Sequence, residues 1–139
     1  MDTLKAISHH TALVYTMVII AAADGSMSEK ELKIIGELTK SLPCFAGFDH
    51  SRLLGVCQEC AQILQEPDGA DAIVGLIDEG LPDILHETAY WVALEVALAD
   101  RRIALEEIRM LDVLRRRLEI DKLTAAAIER GARAKYQVA

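Results

Sequence analysis

Apolar side chains recur along this chain at helical rather than alternating spacing, in long windows without Pro or Gly that are separated by short punctuated breaks. That pattern restricts the fold to all α. The spacing predicts a first helix over 4–23, closed at Asp24-Gly25, where glycine takes the left-handed conformation that a helix terminus commonly requires. The second helix starts at Ser28. Ser28-Glu29-Lys30-Glu31 fits a capping box, in which the serine oxygen accepts from the Glu31 amide while that carboxylate reaches back to the Ser28 amide, with Met27 and Leu32 placed as the hydrophobic staple. This helix should stop near Leu42-Pro43, because the residue before proline is pushed out of the helical region. A third helix is expected over 50–65. Glu66-Pro67-Asp68-Gly69 is loop chemistry leading into a weaker helix over 71–79. Pro82 suits the first turn of a long apolar helix over 82–99. Helices over 105–118 and 121–136, the last capped by Asp121, complete a compact bundle of about seven helices.

With 139 residues, 52% of them apolar and 27% charged, the chain is too hydrophobic to be disordered and long enough to bury a core, so 1–139 reads as a single domain. Aromatic residues, at 4%, are too sparse for a β-sandwich. The net charge of −7 is unevenly placed: residues 1–100 carry 5 basic and 16 acidic side chains, and residues 101–139 carry 10 and 6. An acidic body repels nucleic acid, and the basic third lacks interleaved aromatics on which bases stack, so nucleic acid is excluded as a partner. Three cysteines and no basic-then-apolar leader give the expectation of a reduced, cytoplasmic protein. The most apolar stretch, 12–23, is interrupted by Thr16 and falls short of the roughly 20 residues of a membrane span. It is expected to be a core helix.

The two most apolar helices superpose in sequence, so that Asp24 falls on Asp100 and Glu31 on Glu107. Residues 21–32 read AAADGSMSEKEL and residues 97–108 read ALADRRIALEEI. Each copy is an apolar helix, an Asp-initiated turn and an amphipathic helix, giving repeat halves over about 12–45 and 89–121. Two such hairpins pack on one another about a pseudo-twofold axis to bury their apolar faces, which would bring the four carboxylates together. The pattern resembles the tellurite-resistance TerB family, in which an apolar helix ends in Ala-Ala-x-Asp-Gly, a Glu opens the next helix, and the unit is repeated once. The resemblance spans about 12–136. It implies a small bacterial all-helical protein linked to tellurite resistance and chemical stress, which binds divalent metal through acidic residues and catalyses no reaction. Residue by residue it carries over to Asp24, Glu31, Asp100 and Glu107. The second copy departs from the pattern at Arg101, which stands where the first has Gly25.

Carboxylates are hard oxygen donors suited to Ca²⁺ or Mg²⁺ rather than Zn²⁺, and several must converge to replace a hydration shell. Asp24 at a helix C-terminus faces the negative end of the macrodipole, which a nearby cation, metal or side chain, would offset. Glu31 is explained as well by its capping box. Glu107 lacks that explanation, because the residue three before it is Ala104, without a side-chain oxygen, which leaves a metal or a salt bridge to Arg101 or Arg102. An EF-hand fails, since its sixth position would be Glu29 and its twelfth Ile35. Cys57-Gln58-Glu59-Cys60 lacks the second ligand pair of a structural zinc site and reads as buried thiols. His9, His10, His50 and His86 have no metal-binding spacing, and Tyr90 and Trp91 read as core. Arg109 with Arg115, Arg116 and Arg117 forms a basic helix face that could orient a partner or an anionic membrane surface.

Two functional readings follow. In the first, a TerB-type stress protein binds a divalent metal through Asp24, Glu31, Asp100 and Glu107, with no organic cofactor. In the second, a metal-free helical module acts as an adaptor for a membrane-associated stress-response complex through the acidic segment 66–87 or the arginine-rich helix, peripheral at the inner membrane face. No phosphate-cradling glycine loop, catalytic triad or catalytic metal motif marks an enzyme.

Overall fold

The computed structural model describes residues 6–25, 27–100 and 103–139. Its regular elements are all helical: α1 (His9–Ala21), α2 (Glu29–Ser41), α3 (Leu53–Leu64), α4 (Gly69–Gly80), α5 (His86–Ala97), α6 (Leu105–Arg117) and α7 (Lys122–Lys135), with 3₁₀ turns at Pro43–Phe45, His50–Arg52 and Asp83–Leu85.

The core is built round α1. Every residue from 12 to 21 is buried, including Thr16, whose hydroxyl donates to the Ala12 carbonyl at 2.8 Å and so needs no partner outside the helix. A helix apolar on all sides must be surrounded. α3, α4 and α5 cover most of α1, while α2 and α6 touch it more lightly. α5 is the second buried rod, in contact with α1, α2, α6 and α7. The amphipathic α2 and α6 bury little beyond Ile35 and Leu38 on one, Leu111 and Leu114 on the other, and one acid each.

Several boundaries differ from the sequence expectation, among them the start of α3, which follows a 3₁₀ turn at His50–Arg52. α1 begins at His9, capped by the Ser8 hydroxyl, which accepts from the Thr11 amide at 3.1 Å; of the five expected helical residues before it, 4–8, two lie outside the described residues. Pro82 does not open the long helix but caps a 3₁₀ turn, and α5 starts only at His86. α4 starts before the expected 71 because Asp68 takes a left-handed conformation (φ 59°) and lets the chain turn directly into Gly69, and it runs one residue past 79, to Gly80. Trp91 is half-buried rather than core, whereas Tyr90 is buried and donates to Glu129 at 2.6 Å.

Candidate functional site

The chain leaves α1 through a turn at Ala22–Asp24 and reaches Gly25 with φ +94°, the left-handed residue that the helix terminus demands. Ser28 then caps α2 with both bonds of the capping box: its Oγ accepts from the Glu31 amide at 3.1 Å and its own amide donates to Glu31 Oε1 at 2.8 Å. At the start of α6 one half of that arrangement recurs. Ala104 supplies no oxygen, but its amide donates to Glu107 Oε1 at 2.9 Å. The Glu107 carboxylate is therefore held by a backbone amide; Arg101 and Arg102, the salt-bridge candidates from sequence, lie outside the described residues.

Glu31 and Glu107 are 4% and 3% exposed, which for carboxylates demands compensation. They meet each other. Burial pushes Glu107 up to about 7; the Ala104 amide opposes this, and the hydrogen bond and charge of Glu31, followed by the charge of Asp24, add to it. Burial and the neighbouring Glu31 carboxylate thus favour the protonated form of Glu107. Asp100 joins from the α5–α6 turn, where its Oδ2 accepts from Ser28 Oγ at 3.1 Å. Ser28 thus ties the cap of α2 to the second acidic turn. Asp24 and Asp100 are exposed, and both glutamates are inside.

The four carboxylates named from sequence occupy one neighbourhood, two within hydrogen-bond reach of each other and two at its rim. Each glutamate spends Oε1 on an amide and keeps Oε2 for its neighbour or for a ligand. Among the described residues no group of three or more His, Cys, Asp or Glu side chains stands so as to hold a metal ion. The donor chemistry suits a hard divalent cation; the arrangement requires Asp24 and Asp100 to turn inward toward the buried pair. Because Ser28 serves both the helix cap and Asp100, Ser28→Ala should lower stability by about 1 kcal/mol, read in a chemical denaturation curve, with the helical content of the native state unchanged.

The other candidates resolve quickly. Cys57 and Cys60 are buried free thiols, and burial raises both, Cys60 to about 12, so neither is poised as a nucleophile at neutral pH. His86 Nδ1 lies 2.9 Å from the Leu118 carbonyl. The arginine face is substantially spent within the bundle: Arg115 and Arg116 pair with Asp112, and Arg117 with Asp78 across to α4. Sequence reasoning passed over Glu95, a completely buried acid in α5 whose Oε1 is held by Lys135. Comparison of the chain with known families, characterised proteins and solved structures finds no match.

Proposed function

We propose that this is a non-enzymatic protein of the TerB type, serving tellurite resistance or the chemical-stress response, in which Glu31 and Glu107 with Asp24 and Asp100 bind a divalent cation of the Ca²⁺ or Mg²⁺ class. The observation that supports it is the burial of Glu31 against Glu107 at the junction of α2 and α6. Two acids placed in contact inside a bundle cost stability unless something positive is shared between them, whether a proton, a metal or a basic side chain. A bound cation would supply the neutralising charge; the chain supplies oxygen donors from two helix starts and two turns, so that occupancy clamps α2 to α6 and both to the preceding helices. Oxygen donors of this kind suit a hard cation and not a tellurium oxyanion.

The test is a thermal melt of chelator-treated protein with and without millimolar Ca²⁺, Mg²⁺, Mn²⁺ or Zn²⁺. Selective binding to the folded state raises its stability by mass action, by about 2.7 kcal/mol at a hundredfold excess over Kd. Calcium or magnesium should raise Tm, and Glu107→Gln and Asp100→Asn should each lose that rise. An undiminished rise in Glu107→Gln would remove this ligand assignment.

A second reading has its own support, since protonation of Glu107 already relieves the charge of the pair and no three ligating side chains are assembled among the described residues. It is the metal-free adaptor for a membrane-associated complex. No helix among the described residues is long and apolar enough to cross a membrane, so such a role is peripheral. Absence of a Tm shift with every cation, together with salt-sensitive capture of a protein partner, would make this reading primary.

A further inference from the structure

Glu95 is a carboxylate whose surroundings leave it incompletely satisfied. It lies in the second half of α5 with no exposed surface, and its buried Oε2 has no partner apart from the neighbouring Tyr136 phenol. Oε1 is held by the ammonium of Lys135, the last residue of α7. That ammonium also stands 5.3 Å from the ring centroid of Trp91 and 5.3 Å from that of Tyr136, inside the range of cation–π attraction on both sides. A further negative charge is close. The Tyr136 phenol is raised well above its ordinary value by burial, then by Glu95, then by Glu37.

Two features separate this arrangement from a purely structural ion pair. A buried salt bridge repays desolvation only when the remaining lone pairs are also satisfied, and here Oε2 is served by nothing stronger than the neutral Tyr136 phenol. The cation, moreover, is not itself enclosed: the Lys135 side chain is 52% exposed and sits at a helix end, so it can rotate into solvent without moving α7. What stays behind is a carboxylate flanked by two aromatic faces, the combination with which proteins recognise organic cations. An external ammonium has the same three N–H donors as Lys135 but is not tethered to the end of α7, so it can place them on both oxygens where Lys135 reaches Oε1.

We infer that Trp91, Tyr136 and Glu95 form a cage for a primary alkylammonium group, which Lys135 occupies from within the chain and from which an external amine displaces it. Free polyamines and the lysine side chains of a protein partner both carry this group. The site is separate from the Glu31–Glu107 pair and does not depend on the metal reading.

Trp91 is the single tryptophan of the chain, so its fluorescence reports on the cage alone. Titration with propylammonium chloride at constant ionic strength should give a saturable change in Lys135→Ala. The apparent affinity should be roughly tenfold or more tighter than in the unaltered protein, because the internal competitor is gone. The response should vanish when Glu95→Gln is added, and tetramethylammonium, which donates no hydrogen bond, should bind more weakly than propylammonium. Parallel arms with spermidine and with an N-acetyl-lysine amide tell a free polyamine from a side chain presented by a partner. A folded Lys135→Ala, verified by circular dichroism, that shows no saturable response to propylammonium would overturn the inference, as would a response that survives Glu95→Gln. Should Lys135→Ala not fold, Lys135→Gln retains most of the side chain without its charge and decides the same question.

Discussion

Chelator-treated protein is expected to lose stability as pH rises from about 4.5 to about 7, by roughly 3 kcal/mol, and Glu107→Gln is expected to abolish that loss. The sign follows from which state holds the proton. Glu107 titrates near 4.5 when unfolded and near 7 when folded, so between those values the native state binds more protons than the unfolded one. Stability is then highest below the interval, falls through it and levels off above it. The fall is set first by burial of the carboxyl and then by its neighbours Glu31 and Asp24. Other groups work differently. His10, lowered by burial and by His9, contributes stability above its unfolded value of 6.5 that is lost as pH falls, which opposes the trend. Asp49 and Asp121 are held below 3.8, chiefly by hydrogen bonds from Ser51 and Thr124, and titrate under the interval. The difference between wild type and Glu107→Gln cancels all three. Denaturation curves across the interval should show the two proteins alike at its acid end and the variant more stable at its alkaline end; parallel curves would mean that Glu107 is not protonated in the fold.

The contrast between what sequence revealed and what it concealed turns on distance along the chain. The Ser28–Glu31 box, the left-handed Gly25 and the Asp121 cap involve residues within a few positions of one another, and each formed as its local chemistry requires. The all-helical class was likewise readable, because burial of α1 on every side is written in an apolar run broken only by Thr16, which bonds within its own helix. Long-range pairings were not. Ala104 correctly signalled an incomplete cap in front of Glu107, yet nothing local says that the remaining half of the box still forms or that Glu31 supplies the neighbour. Glu95 did leave a trace, as a lone acid in the apolar run 89–99, and its reason for being there is Lys135, on a different helix. The alignment that put Asp24 over Asp100 and Glu31 over Glu107 was itself a long-range expectation; of it, the structure gives Glu107 the neighbours Glu31 and Asp24 and gives Asp100 a bond from Ser28, while the repeat and the metal are proposals.

The same substitution, Gly to Ala, should have opposite signs at two positions in adjacent helices. Gly69 opens α4 directly behind the turn Glu66-Pro67-Asp68, which is closed by the Gly69 amide donating to the Glu66 carbonyl at 2.9 Å. Pro67 and the left-handed Asp68 fold the chain back so tightly that a Cβ on Gly69 would lie 2.1 Å from the Ile63 carbonyl oxygen and 2.9 Å from the Leu64 Cα. Both obstacles are backbone of the end of α3, so no rotamer change relieves them, and the α3–α4 corner itself must open. Gly69→Ala should therefore cost about 3 kcal/mol, at the upper end of ordinary overpacking, and loosen the contact of α3 and α4 with α1. Gly55, inside α3 and exposed, has nothing within 4 Å of the position a Cβ would take. Gly55→Ala removes only backbone freedom from the unfolded chain and should stabilise by about 0.5 to 1 kcal/mol. Chemical denaturation of the two variants side by side separates the effects: glycine at 55 is a matter of chain entropy, whereas glycine at 69 is the only residue that lets α4 start where it does. A Gly69→Ala protein as stable as wild type would mean that the corner relaxes at no cost and that the packing of α4 on α1 does not rely on this close approach.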